Sequence, residues 1–293
     1  MKAPRFTYHD PVGLDEALSL LAEYGEEGKV LAGGQSLMPV LNFRLARPAH
    51  LIDINRIEAL ADFGQAADGG LSLGALARQR ALERSALVAE RCPLISQAMP
   101  YVGHPQIRNR GTLGGSLAHA DPAAELPAVA VATDATLTVA RKGSQRVLEA
   151  EDFFIGELST RLEADELLVR IDVPAWPERS GSSVQEVAMR LGDFALAGVV
   201  TRLTLDAGGR VADARIVCFG IGDRPLRQHE AEQSLQGAPA SDEAFAEAGR
   251  IVSARVQPSD DIHASAGYRR RSAGLLTRRA LAASMSTIKE AVA

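Results

Sequence analysis

Cysteine is nearly absent from this chain. Only Cys92 and Cys218 occur among 293 residues, far apart and without a CxxC pair, which disfavours a disulfide framework, a thiolate zinc site or an iron–sulfur cluster built from this chain alone. Any metal redox centre it works with must sit elsewhere. An excess of basic charge is missing too: 32 Lys and Arg stand against 37 Asp and Glu, a net charge of −5, so no overall positive field draws in nucleic acid or anionic lipid. No apolar run reaches the roughly 18 residues of a membrane span, and the opening MKAPRFTYHDP has no apolar core of signal-peptide length. The expected setting is the cytoplasm, with no membrane span and no nucleic-acid partner. Three common site motifs are also lacking. Without GxxxxGK[ST], GxGxxG or GxSxG there is no Walker loop, Rossmann fingerprint or nucleophile elbow.

What is present is ordinary globular material, 46% hydrophobic and 24% charged, enough for one large or two modest domains. Leu14, Ala17, Leu18 and Leu21 recur at helical spacing, with Gly13 as N-cap, Glu16 three positions on, and an end near Gly25. KVLAGG, HLIDI (50–54) and LSLGAL (71–76) read as strands, 77–99 as a helix interrupted near Pro93, ELPAVAVATDATLTVAR as a helix running into a strand, and LLVRIDVP as a strand. The proline-, glycine- and serine-rich PAWPERSGSS (174–183) reads as an exposed connection between domains. Beyond it, VQEVAMR, GVVTRLTLD and VADARIVCFGIG predict three antiparallel strands, the last two joined by a hairpin at Ala207–Gly209, and HEAEQSLQG, DEAFAEAGRIVSARV and AGYRRRSAGLLTRRALAASM predict helices.

Two glycine turns stand out, LAGGQSLMP (31–39) and the later GHPQIRNRGTLGGSLAHADPAAELP (103–127). Gly33 and Gly34 with Ser36, and Gly114 and Gly115 with Thr112 and Ser116, could turn successive N–H groups onto a phosphate, although neither turn carries a lysine. A tight corner needs the same glycines, so by themselves the pairs leave both readings open. His119, Asp121 and Glu125 are spaced i, i+2 and i+6, which shares no face of a helix or strand and argues against a metal site.

These turns, together with FTYHDPVGLDEALSLLAEYG, DELLVRIDVP, RLGDFALAG and GYRRRSAGLLTRRAL, resemble over nearly the whole chain the FAD-binding (medium) subunit of the molybdenum hydroxylases, the family of carbon monoxide dehydrogenase, quinoline 2-oxidoreductase and xanthine dehydrogenase. The resemblance implies an α+β fold: a vanillyl-alcohol-oxidase (PCMH)-type FAD-binding domain of two α/β subdomains over 1–176, then a C-terminal domain over 184–293 with a three-stranded antiparallel sheet carrying helices. It implies FAD on this chain, passing electrons to an external acceptor. The molybdenum cofactor would lie on a large partner subunit and two [2Fe–2S] clusters on a small one, with a dimer of heterotrimers as the assembly. The motif RNRGTLGGSLAHAD is closest to the quinoline-type enzymes, which implies hydroxylation of an aromatic N-heterocycle by the complex. A free-standing flavin oxidase of the same fold and a non-catalytic nucleotide-binding scaffold are the competing readings.

Carried over position by position, Ala32, Gly33, Gly34, Gln35, Ser36 and Leu37, with Gly111, Thr112, Gly114, Gly115 and Ser116, would wrap the FAD diphosphate and ribityl chain. Backbone amides and hydroxyls would then neutralise the diphosphate in place of a lysine. Glu125 matches an acidic residue bonded to a cofactor hydroxyl, Val102 and Gly103 flank the adenine end, and Leu168 contacts the nucleotide. Phe194 matches an aromatic position over the flavin, often a tyrosine; Arg190 matches a basic position near the ring, and Ser116 stands where many relatives have asparagine. No catalytic residue and no metal ligand is expected, because the hard chemistry belongs to the cofactor. The run YRRR with Arg278 and Arg279 reads as a solvated helix face or a surface that docks a partner subunit.

Overall fold

A computed structural model describes residues 2–292. The first layer is a three-stranded parallel sheet in the order Thr7–His9, His50–Asp53, Gly28–Leu31. The helix Leu14–Tyr24 packs its buried face of Ala17, Leu18 and Leu21 here, as the 3.6-residue spacing requires. Its start departs slightly from a capping box: Glu16 accepts from the N–H of Val12 (3.1 Å) rather than from that of the N-cap Gly13. It stops at Gly25, where φ is +49°.

The second layer is a five-stranded sheet in the order Phe63–Gln65, Leu71–Gly74, Leu167–Val173, Thr136–Arg141, Ser144–Glu149, with every pairing antiparallel. The stretch read as one interrupted helix forms three short ones, Gln79–Arg84, Ala86–Arg91 and Pro93–Ala98. The extra break lies at Ser85, whose extended backbone lets its hydroxyl cap the N–H of Val88 (3.3 Å). The helix Glu125–Ala132 has all eight residues buried, which is why its sequence shows no amphipathic stripe.

The C-terminal sheet has four antiparallel strands, not three: Ser180–Ala188, Ala195–Leu205, Val211–Phe219 and Leu226–Arg227. The fourth is two residues long and offers no alternation to read. Part of the expected connection is also strand. Gly181, Ser182 and Ser183 are buried, and a Cβ on Gly181 would fall 2.0 Å from the carbonyl oxygen of Ser284 on the long helix Ala266–Val292, so this glycine serves close packing. The link itself narrows to 174–179. Helices His229–Leu235 and Asp242–Arg255 complete this part.

One hydrophobic core runs through the junction: Val184, Ala195, Val200, Val217 and Phe219 of the C-terminal sheet cluster with Leu94, Leu126, Val129 and Phe153. A charged cluster flanks it. Asp134, in the left-handed turn (φ +52°) after the buried helix, receives Arg202 (2.7 Å), Arg215 (3.0 Å) and Arg227 (3.2 Å) from three C-terminal strands. Burial works to raise the Asp134 carboxyl, but these guanidiniums outweigh it and hold it below its usual value. An apolar junction flanked by this ion-pair cluster fixes the two parts in one orientation and so gives a cleft between them a set shape.

Candidate cofactor site

That cleft has a volume of about 2000 Å³, larger than a typical small-ligand pocket and suited to an extended dinucleotide. Sixteen of the seventeen residues expected to hold the cofactor line it, from Ala32–Leu37 through Val102, Gly103, Gly111, Thr112 and Gly114–Ser116 to Glu125, Leu168 and Phe194. Arg190 is not among them and is exposed on the loop after the strand Ser180–Ala188.

The two glycine turns touch through their backbones. A Cβ on Gly33 would lie 2.4 Å from the carbonyl oxygen of Arg110 and 2.9 Å from Cα of Gly111, so glycine is required at 33 by the approach of one turn to the other. Within the second turn, a Cβ on Gly115 would lie 2.6 Å from Oγ1 of Thr112. A hydrogen-bonded chain holds the joint. Tyr8 donates to Asp53 (2.7 Å), Asn55 donates to Asp53 (2.5 Å) and to the carbonyl of Ala32 (2.8 Å), and Arg78 donates to Asn55 (2.6 Å) and to the carbonyl of Arg110. Burial pushes the Asp53 carboxyl up, but the bonds from Tyr8 and Asn55 outweigh that and leave it below its usual value, while Tyr8, bonded to it, is pushed up to about 12. Asn55 and Arg78 belong to no glycine motif, so nothing in their sequence surroundings marks them.

The turns differ in what they leave free. In the second, the N–H groups of Leu113, Gly114, Gly115 and Ser116 already pair with Ala77 O (3.0 Å), Ala75 O (2.8 Å), Thr112 Oγ1 (3.1 Å) and Thr112 O (3.2 Å). In the first, the N–H groups of Gly33, Gly34, Gln35, Ser36 and Leu37 make no hydrogen bond to any described residue, and Gly34 has φ +73°. Successive unpaired amides bent by a left-handed glycine form a concave donor row, the arrangement that binds an anionic oxygen without a cationic side chain. The two turns therefore contribute unequally: the first offers five unpaired amides in a row, whereas the second, where among residues 111–116 only the Thr112 N–H has no partner among the described residues, offers mainly its close backbone and the Ser116 hydroxyl.

Glu125 opens the buried helix and is 7% exposed. Burial pushes its carboxyl up to about 7, its own N–H works against that, and Asp121 adds to it. Its neighbour Glu186, on the first C-terminal strand, is pushed up to about 8 by burial and by the charge of Glu125, and its Oε2 is buried with no partner. At the other end Phe194 is 72% exposed on the loop after the strand Ser180–Ala188. That loop is seated at Gly192 (φ +86°), where a Cβ would lie 2.4 Å from Nδ1 of His104. Arg269 holds its far end by donating to the carbonyls of Leu196 (2.8 Å) and Gly220 (2.6 Å), with Asp261 as counter-ion. This arginine is 8% exposed, so the YRRR run is not wholly a solvated face; a run of four polar residues hides which of them turns inward.

Residues 4–176 match the family model described as FAD binding domain in molybdopterin dehydrogenase, and residues 182–284 match CO dehydrogenase flavoprotein C-terminal domain. The chain is 39% identical over 282 residues to the 6-hydroxypseudooxynicotine dehydrogenase complex subunit alpha of Paenarthrobacter nicotinovorans, covering 96% of this chain and 95% of that one. It is 40% identical over 284 residues to the caffeine dehydrogenase subunit beta of Pseudomonas sp. (strain CBB1), with the same coverage, 96% and 95%. Among solved structures, the carbon monoxide dehydrogenase of Hydrogenophaga pseudoflava that lacks the Mo-pyranopterin moiety of its cofactor superposes with a TM-score of 0.94 at 36% identity, covering 98% of this chain and 99% of that one. No helix among the described residues is long and apolar enough to cross a membrane. The donor row, the glycine joint and the long cleft fit FAD, and the chain belongs to the FAD-binding medium subunits of the molybdenum hydroxylases, an oxidoreductase family.

Proposed function

We propose that this chain is the electron-transfer subunit of a molybdenum hydroxylase, and that its FAD lies along the cleft with the diphosphate on Gly33–Leu37. The observation that carries this reading is the row of five N–H groups without internal partners. Bound FAD supplies the capacity to exchange electrons singly on one side and in pairs on the other. The chain's own residues bind and orient. The amides of the first turn balance the diphosphate charge, the second turn allows close approach and adds the Ser116 hydroxyl, and Glu125, kept largely protonated below neutral pH by burial, gives or takes a hydrogen bond at a cofactor hydroxyl. Leu168 and Val102, 2% and 9% exposed, exclude water from the wall, and Phe194 supplies an aromatic face at the open end.

The finer organisation follows the same reading. A vanillyl-alcohol-oxidase-type domain over 1–176 is supported by the parallel and antiparallel sheets flanking the cleft, with the C-terminal domain over 184–293. The iron–sulfur clusters belong to a small partner subunit and the molybdenum cofactor to a large one, because two buried cysteines 126 residues apart, Cys92 and Cys218, are too few to ligate a cluster; the assembly on this reading is a dimer of heterotrimers in the cytoplasm. The overall reaction is hydroxylation of an aromatic N-heterocycle, in keeping with relatives named for caffeine and 6-hydroxypseudooxynicotine.

The test is to purify the chain alone and together with candidate iron–sulfur and molybdenum chains, record visible spectra, and follow flavin bleaching on adding an N-heterocycle. A yellow chain that bleaches only within the complex supports the reading. A colourless chain that takes up no FAD, or a yellow monomer that oxidises a small substrate unaided, overturns it.

A further inference from the structure

Gln79 opens the helix Gln79–Arg84, is 5% exposed and lies in the wall of the cleft. Its backbone N–H is occupied by the carbonyl of Gly111 (2.9 Å). Its side-chain amide lies against the same glycine: a Cβ on Gly111 would fall 2.3 Å from Oε1 and 3.2 Å from Nε2. Oε1 is buried and has no hydrogen-bond partner. An amide acceptor at this depth forfeits the bond that water gives it in the unfolded chain, which folded proteins rarely tolerate without a purpose.

Its position suggests the purpose. Gly111 is the residue on which Gly33 closes, so the amide stands at the joint of the two turns, beside the start of the free N–H row. Packing alone would be served as well by leucine or methionine of similar volume. A half-turn about the last side-chain torsion exchanges oxygen and nitrogen in place, so either end of the amide can be turned to the cleft. FAD carries hydroxyl groups on the ribityl and ribose chains to either side of its diphosphate, and such a hydroxyl, which both donates and accepts, is a partner that the amide lacks among the described residues.

We propose that Gln79 is a cofactor-binding residue whose side-chain amide hydrogen-bonds a hydroxyl of FAD next to the diphosphate, an inference that rests on the cleft being the FAD site. The experiment titrates FAD into the deflavinated full chain, follows quenching of flavin fluorescence, and records thermal melts of the FAD-free proteins. Gln79→Met and Gln79→Leu are expected to raise the FAD Kd about tenfold, the loss of one hydrogen bond, while the FAD-free variants melt at the same temperature as the parent or higher because the orphan acceptor is gone. Unchanged FAD affinity in both variants overturns the proposal. So does an affinity loss that appears only with a lowered melting temperature, which marks Gln79 as a packing residue. A parent chain that takes up no FAD fails earlier and overturns the cleft reading itself.

Discussion

Gly33→Ala tests the joint between the turns most directly. The added Cβ would stand 2.4 Å from the carbonyl oxygen of Arg110 and 2.9 Å from Cα of Gly111, where real Cβ atoms do not come within 3.0 Å of such neighbours. Both obstacles are backbone, so no side-chain rotation relieves them and the turns must part by about 0.6 Å or more, the overpacking regime that costs about 1–3 kcal/mol. The displacement falls on the first of the five free N–H groups. Losing one charge-assisted bond to a phosphate is worth about 1.5–3 kcal/mol, a rise in FAD Kd of roughly 10- to 150-fold. The assay is fluorescence titration of the deflavinated chain with FAD, beside melting curves with and without saturating FAD. Gly64→Ala is the control, since a Cβ there meets nothing within 4 Å. Parental FAD affinity in Gly33→Ala would refute the two-turn cradle, because the geometry leaves the alanine no way to be accommodated without moving it.

Asp134→Ala leaves three guanidiniums without their shared carboxylate; with Asp134 32% exposed and other acids nearby, the loss should be about 2 kcal/mol, below that of a fully buried pair, read by urea denaturation. Arg269→Lys cannot span the carbonyls of Leu196 and Gly220 and the carboxylate of Asp261 together; limited proteolysis should cut the loop 189–194 faster, and unchanged cleavage would count against the anchor. The pair Glu125 and Glu186, raised to about 7 and about 8, holds its protons more tightly folded than unfolded. Its contribution to stability is therefore fully present below about 4.5 and is lost as pH rises through 7 to 8. Glu186→Gln should flatten that decline in denaturation curves taken from pH 5 to 8.5, and an unaltered slope would show that the pair does not titrate as a unit.

Elements with a periodic or alternating pattern were legible from sequence. The amphipathic helix Leu14–Tyr24 and the long strands Ala195–Leu205 and Val211–Phe219 fall where Leu14, Ala17, Leu18 and Leu21 and the β-rich runs put them. What escaped notice depends on single contacts over long separations. Ser85 breaks a helix by capping the next one, Leu226–Arg227 becomes a strand only because Val217 and Cys218 lie beside it, and the SGSS run is drawn into a buried strand by the helix Ala266–Val292 crossing over Gly181. The site divides the same way. Glycine pairs can be seen in a sequence, whereas Asn55, Arg78 and Gln79, which tie the turns together or face the cleft between them, sit in unremarkable local contexts.

The missing lysine finds its explanation in the unequal use of the two glycine turns. A phosphate site needs donors that folding has left unpaired, and donors left unpaired cost stability unless solvent or a ligand reaches them. In the second turn, Ala75, Ala77 and Thr112 consume every N–H from Leu113 to Ser116, which makes that turn a rigid wall. The first turn can then remain unsatisfied because it is braced from outside, by Asn55 on the Ala32 carbonyl and by Gly33 pressed on Arg110 and Gly111. A lysine would add charge but also a flexible stem. Five amides held by a neighbouring turn give a field fixed in direction before any ligand arrives, so their orientation entails little reorganisation on binding. It follows that weakening the brace should impair cofactor binding nearly as much as altering the cradle itself. Asn55→Ala, which leaves all five N–H groups chemically intact, should raise the FAD Kd by about tenfold, the loss of one positioning hydrogen bond. Parental affinity in that variant would mean that the first turn holds its shape unaided.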